Sequence, residues 1–318
     1  MRYGTIAIIG RSNVGKSTFL NSALGMPLAI VSSIPQTTRD TLLGVVNSGD
    51  AQLAFIDTPG LHHPKNELGR RMNQDASESL RSADAAVFMT DAHKLESGET
   101  DDEEKPATRG RPRSRATSSD RSDAELIALL PPQLPTVLVI NKIDRLRDKT
   151  RLLPLLQGMT ALYPFAAVVP ISAKQSDGVD RVLAEVAKLL PEQDQRFPAD
   201  EVTDRPVSFF AREYIREQVL TLASREVPHA VAVTIDQIEE STEGMHVSAT
   251  IHVEKLGQRA ILVGKGGEMV RDIGTAARKR LMELTGQTVH LKLFVRVTER
   301  WRDIPRQLAE MGYKPEST

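Results

Sequence analysis

The chain contains no cysteine. Disulfides, thiol nucleophiles and cysteine-held metals are therefore excluded, and a reducing compartment fits. Aromatic residues make up only 4%, with a single tryptophan, so any core must be aliphatic. No apolar run approaches the roughly 20 residues that a membrane span needs. The N-terminus lacks a secretory-signal layout, because Thr5–Ile9 is short and runs straight into a glycine-rich loop. A soluble, cytoplasmic chain is expected. The formal net charge of −1 names no partner, so the distribution of charge has to. The 318 residues, 40% hydrophobic, suffice for two domains of ordinary size.

Gly10-Arg11-Ser12-Asn13-Val14-Gly15-Lys16-Ser17 spells G-x-x-x-x-G-K-S directly after the apolar run Thr5–Ile9. A strand, a glycine-rich loop and then a helix is the setting of a phosphate-binding loop. Its backbone N–H groups would cradle phosphate, with Thr18 following in the helix. Lys16 would reach the β/γ-phosphates and Ser17 would ligate Mg²⁺. The positive end of the helix over Ser17–Ala23 adds to the attraction.

Later motifs select the nucleotide. Asp57-Thr58-Pro59-Gly60 reads D-x-x-G. Asp57 would hold Mg²⁺ through water, and the Gly60 N–H would meet the γ-phosphate. Asn141-Lys142-Ile143-Asp144 follows a strand. A carboxylate at Asp144 can accept from both guanine N1–H and the 2-amino group, and adenine offers neither donor there. Lys142 either packs over the purine or braces the phosphate loop. Ser172-Ala173-Lys174 would present a backbone N–H to guanine O6. Each motif ends a strand, at the sheet edge where doubly wound folds bind ligands. Together they resemble the guanine-binding set of translation-factor-like GTPases.

In Pro35-Gln36-Thr37-Thr38-Arg39-Asp40, a mobile threonine would sense the γ-phosphate and close on Mg²⁺. Thr38 is favoured, with Thr37 as the alternative. Lys16, Thr38 and Gly60 form the expected catalytic set, and Ser17, Thr38 and Asp57 the metal set. Leu61 stands where Ras-like GTPases carry a water-orienting glutamine, which implies slow intrinsic hydrolysis. Asn13 either binds K⁺ beside the phosphates, as in related GTPases with asparagine there, or simply hydrogen-bonds the loop.

The first part alternates strands (5–9, 42–47, 53–56, 85–90, 137–140, 167–171) with helices (66–82, 123–130, 179–190). Several strands are unbroken apolar runs, as strands buried on both faces should be. A doubly wound α/β domain over 1–192 is expected. Residues 93–122 are almost free of apolar side chains after Leu95 and read as a disordered surface insertion. Polar residues 193–206, punctuated by proline, read as a linker.

Residues 207–318 follow another pattern. The expected order is helix 207–224, antiparallel strands 231–238 and 246–254, helical pieces 259–263, 269–273 and 275–284, and strand 289–297. Gly264-Lys265-Gly266-Gly267 is a G-x-x-G between two helical pieces. This α+β order around G-x-x-G resembles a KH domain of the bacterial type (type II), in which the loop clamps the backbone of single-stranded RNA. From Lys255 to Arg306 there are twelve Lys and Arg against five Asp and Glu, a basic segment suited to phosphate. Arg271 joins Gly264–Gly267 as an expected RNA contact. Trp301 either packs beneath the last helix or stacks a base, and packing is favoured.

A GTPase domain joined to one C-terminal KH domain resembles the Era family of ribosome-assembly GTPases. Echoes include Pro35–Arg39, Asp57–Leu61, Gly69-Arg70-Arg71-Met72-Asn73, Val289-His290-Leu291 and the ending Trp301, Leu308, Gly312-Tyr313. The resemblance implies binding of the 3′ end of small-subunit (16S) ribosomal RNA, with no DNA partner, and action in 30S maturation. It also implies GTP and GDP as ligands and peripheral association with the inner membrane. Two departures stand out. Ser12 replaces the proline usual before Asn13, and the 93–122 insertion exceeds the family's short loop.

Overall fold

The computed structural model describes residues 1–92, 121–146, 152–223 and 227–313. It divides into two units: residues 1–29, 38–65 and 72–204 form the first, and residues 30–37, 66–71 and those from Arg205 on form the second.

The first unit is built on six strands. They are β1 (Arg2–Gly10), β2 (Leu42–Ser48), β3 (Ala51–Asp57), β4 (Ala85–Asp91), β5 (Thr136–Asn141) and β6 (Ala167–Pro170). The sheet order is β2-β3-β1-β4-β5-β6. All neighbours run parallel except β2, which pairs antiparallel with β3 at the edge. Every residue of β4 and β5 is buried, as their unalternating apolar sequences require. The helices are α1 (Lys16–Leu24), α2 (Glu67–Ser82, of which residues 72–82 belong to this unit), α3 (Asp123–Ile127), α4 (Leu152–Thr160) and α5 (Val179–Leu189). Ser122 starts α3 with a reciprocal cap: its hydroxyl accepts from the Glu125 N–H, and the Glu125 carboxylate accepts from the Ser122 N–H. Of the expected insertion, residues 93–120 lie outside the described residues.

Residues 193–203 lie along this sheet's β2–β3 edge. The Gln52 side chain accepts from the N–H groups of Arg196 and Phe197, both at 3.0 Å. The Val45 N–H donates to the Val202 carbonyl at 2.9 Å. These bonds satisfy the backbone of a stretch whose composition alone reads as a connector.

In the second unit, β7 (Ala232–Ser241) and β8 (Gly244–Val253) form a hairpin, and β9 (Val289–Val297) pairs parallel with β8. The helices are α6 (Val207–Leu222), α7 (Leu256–Val263), α8 (Glu268–Thr285) and α9 (Pro305–Glu310). Ile215, Val219, Val233, Ala249, Ile251, Leu262, Ile273 and Ala277 fill the core between helices and sheet. The two helical pieces expected at 269–273 and 275–284 are one helix. Gly274 continues α8 without strain, and a Cβ there would make only ordinary van der Waals contact with a Leu293 methyl at 3.4 Å. Trp301 is fully buried, and its indole N–H donates to the Ala230 carbonyl at 2.9 Å. It is a core residue, and truncation of such a side chain costs about 3–5 kcal/mol.

Residues 30–37 and 66–71 are held within this unit by specific bonds. The Val31 N–H donates to Glu217, and the Thr37 carbonyl accepts from Arg216 at 2.6 Å. Arg216 is itself paired with Glu213, and Glu217 with Arg280 of α8. The Leu68 N–H donates to the Arg302 carbonyl at 3.1 Å, and Arg71 donates to the Tyr313 carbonyl at 3.1 Å.

Candidate functional site

The phosphate-loop residues, Asp57–Gly60, Asn141–Asp144 and Ser172–Lys174 belong to the first unit, at the C-terminal ends of β1, β3, β5 and β6, and Thr38 of the same unit lies in the loop before β2. The loop over Gly10–Gly15 delivers the chain into α1, whose first residue is Lys16. Lys16 is buried, and its ammonium donates to the Gly10 and Arg11 carbonyls, both at 2.9 Å. The loop is thus curled around the cation that would meet phosphate. Arg11, Ser12 and Val14 are buried, while Asn13 is exposed.

Ser17, Thr38 and Asp57 converge. The Ser17 hydroxyl donates to Asp57 Oδ2 at 2.6 Å and lies 2.9 Å from Thr38 Oγ1, which itself donates to Oδ2 at 3.5 Å. Asp57 is fully buried, and its Oδ1 has no hydrogen-bond partner. Burial raises its pKa, while Lys16 and the two hydroxyls act in the opposite direction. A buried, half-satisfied carboxylate beside two hydroxyls is an all-oxygen donor set suited to Mg²⁺. Among the described residues no cluster of three His, Cys, Asp or Glu occurs, so a metal here would complete its shell with water and phosphate oxygens. Of the two candidate threonines, Thr38 joins this group. The Thr37 hydroxyl donates instead to the Ile34 carbonyl at 2.6 Å. Thr58 supports the strand end, donating to the Ile8 carbonyl at 2.7 Å.

The base-side residues interlock with the phosphate loop. Asn141 donates to the Val14 carbonyl at 2.8 Å and accepts from the Ala173 N–H at 2.9 Å. It thereby ties three motifs into one frame. Gly15 is required by that frame, since a Cβ would lie 2.3 Å from the Asn141 amide nitrogen. Lys142 donates to the Asn13 carbonyl at 2.6 Å, the bracing role. The Ser172 hydroxyl donates to Asp144 Oδ1 at 2.6 Å, leaving the exposed carboxylate pinned by one oxygen. Lys174 is exposed.

Sequence reasoning missed Asp91. It ends β4, is buried, and pairs with Lys142 at 2.7 Å, which fixes the lysine that braces the loop. An acid closing an apolar strand at the ligand edge of the sheet was the available signal.

In the second unit, Gly264–Gly267 joins α7 to α8. Lys265, Gly266 and Arg271 are exposed. Gly266 and Gly267 have φ of 61° and 80° with open space where a Cβ would stand, so glycine serves the left-handed turn rather than crowding. The turn precedes the N-terminus of an 18-residue helix, an electropositive end suited to phosphate.

Comparison with known proteins agrees with both halves. A family model described as a 50S ribosome-binding GTPase matches residues 5–142, and a KH-domain model matches residues 226–302. GTPase Era of Xanthomonas oryzae pv. oryzae (strain MAFF 311018) is 41% identical over 98% of this chain and 97% of its own length. GTPase Era of Lactobacillus delbrueckii subsp. bulgaricus (strain ATCC BAA-365 / Lb-18) is 39% identical over 98% and 95%. A crystal structure of a substituted Aquifex aeolicus Era bound to GDP·AlF4⁻ superposes with a TM-score of 0.86 at 35% identity, covering 98% of this chain and 99% of that one. A crystal structure of Era in complex with MgGDPNP and nucleotides 1506–1542 of 16S ribosomal RNA gives the same values. Similarity at this level along nearly the whole length, with a nucleotide frame in one unit and a G-x-x-G turn in the other, places the chain in the Era family of GTPases.

Proposed function

We propose that this GTPase is a nucleotide-operated switch that binds the 3′ end of 16S ribosomal RNA and acts in assembly of the 30S subunit. The observation that carries the RNA half is the exposed Gly264–Gly267 turn with Lys265, set at the start of α8. The related Era structure that holds 16S nucleotides together with a GTP analogue supports the same partner. In this reading the GTP-binding domain runs over 1–192, a linker over 193–206 and the KH domain over 207–318. Arg271, one turn into α8, adds a cation beside the RNA backbone.

The chemistry follows from the first unit. Lys16 exchanges the Gly10 and Arg11 carbonyls for the β- and γ-phosphate oxygens of GTP. N–H groups of residues 10–18 line the phosphates. Ser17 and Thr38 would ligate Mg²⁺ directly and Asp57 through water; the ion would neutralise charge developing on the phosphates. The Gly60 N–H donates to the γ-phosphate, and Pro59 fixes the backbone leading into it. Asp144 accepts from the guanine ring while the Ala173 N–H, already held by Asn141, and its neighbours Ser172 and Lys174 border O6. Leu61 is buried and offers no group to orient water, so unassisted hydrolysis is slow. Cytoplasmic action with a peripheral contact to the inner membrane belongs to the same proposal; among the described residues no helix is long and apolar enough to cross a membrane.

The test is binding of a short RNA matching the 16S 3′ end, against a scrambled control, with GDP and with a non-hydrolysable GTP analogue. Selective binding that is tighter with the analogue is expected, since a switch requires differential affinity between states. Equal affinity in both nucleotide states removes the switch. Equal affinity for both RNAs removes the 16S assignment.

Asn13, exposed at the loop crest with its carbonyl held by Lys142, is the place for K⁺ beside the phosphates. Turnover is expected to be faster in KCl than in NaCl, with the difference lost in Asn13→Ala. Equal rates in the two salts reject the site.

A further inference from the structure

The second unit presents one sheet face that its own helices do not cover. Along β9, Leu291, Leu293 and Val295 turn toward the core, while His290, Lys292, Phe294 and Arg296 are exposed, as strand alternation dictates. The parallel register sets His246, Ser248 and Thr250 of β8 beside His290, Lys292 and Phe294. The His246 and His290 rings stack, with centroids 4.6 Å apart and planes 16° apart. The Lys292 ammonium lies 5.1 Å from the centre of the Phe294 ring, and Phe294 is 47% exposed.

We propose that this open face is a second RNA surface, taking a single-stranded segment laid along β9 with a base stacked on Phe294. The proposal rests on the reading that the chain binds RNA. It goes beyond that reading in assigning a surface separate from the Gly264–Gly267 turn, whose flanking helices pack on the sheet's other side.

Charge and polarity favour this occupant. Aromatic faces that alternate with cations along one strand form the usual platform for unpaired bases and their phosphates. A protein partner would want a continuous apolar centre, yet Phe294 is the one large apolar side chain exposed on this sheet. The carboxylates stand to one side. Asp236 of β7 accepts from the Thr250 hydroxyl at 2.7 Å, and Glu239 of β7 accepts from Gln237 at 2.5 Å. The cationic strip is thereby confined to β9 and runs along the strand. That shape complements an extended polyanion rather than a compact one.

The experiment uses the full chain and two RNAs carrying 4-thiouridine. One is a ten-nucleotide piece of the 16S 3′ end, and the other is the same piece extended by ten unpaired nucleotides. After photo-cross-linking, the longer RNA is expected to label the peptide that contains Phe294. Phe294→Ala, and separately Lys292→Ser with Arg296→Ser, should weaken the longer RNA about tenfold. Both variants should leave the ten-mer and the melting temperature unchanged. No label on β9, or unchanged affinity for the longer RNA in both variants, overturns the proposal. So does labelling of β9 that appears only when a ribosomal protein is added. Gly266→Asp separates the two surfaces. If it leaves the ten-mer bound as before, the reading of the Gly264–Gly267 turn fails, while the β9 label still decides the sheet.

Discussion

Lys16→Ala should lower GTP turnover by about 10²–10³-fold, the usual loss when one preorganised charge donor to a transition state is removed. The lysine is buried and already bonded to the Gly10 and Arg11 carbonyls. It is therefore held near the position the phosphates would take, and its charge acts in a poorly hydrated setting. Alanine is a good helix former at the first position of α1, so the fold should survive. Single-turnover hydrolysis with nucleotide in excess over its dissociation constant isolates the chemical step. Turnover within threefold of the parent would mean that Lys16 does not act in the chemical step.

Asp144→Asn should exchange base specificity. In the proposed reading the carboxylate accepts from two guanine donors, whereas an asparagine would place its own NH₂ against one of them. A donor facing a donor loses the bond and repels. Preference for GTP over XTP, which carries an oxygen in place of the 2-amino group, is expected to shift on the order of 10⁴-fold. The Ser172 hydroxyl, 2.6 Å from Asp144 Oδ1, will accept the asparagine amide or donate to its oxygen, so the side chain stays placed. Competition of GTP and XTP for a fluorescent guanine nucleotide measures the shift. An unchanged GTP preference would move base recognition elsewhere and leave Asp144 as a partner of Ser172 alone.

Much of this was legible because the chemistry is local. The strands of the first unit lie within two or three residues of their apolar runs, and each nucleotide motif stands at a strand end. What escaped has identifiable causes. Helix α4 carries Pro154 and Gly158, which read as breakers. Pro154 falls in the first turn, where its missing N–H is not needed. Helix α9 likewise starts on Pro305. Gly274 looked like a boundary, yet the helix runs through it, because one glycine costs only about 1 kcal/mol in a helix of 18 residues. Asp91 escaped because its role depends on Lys142, fifty-one positions away. The two readings of Lys142 could not be separated from sequence either, since bracing needs the Asn13 carbonyl brought across from another strand end. Periodicity reports which face a residue takes, and not what stands opposite it.

Residues 30–37 and 66–71 bear on how the chain can be divided. A fragment ending at Asp204 keeps every residue of the nucleotide frame. It also strands the Val31 and Leu68 N–H groups without Glu217 and the Arg302 carbonyl, and Arg71 without the Tyr313 carbonyl. Thr38, the metal-side threonine, directly follows the stretch so released. Amide exchange over residues 30–37 should therefore track unfolding of the C-terminal unit rather than of the N-terminal one. The order of residues along the chain and the order in which they come apart are different maps of this molecule, and a clean cut in the first leaves a frayed end in the second.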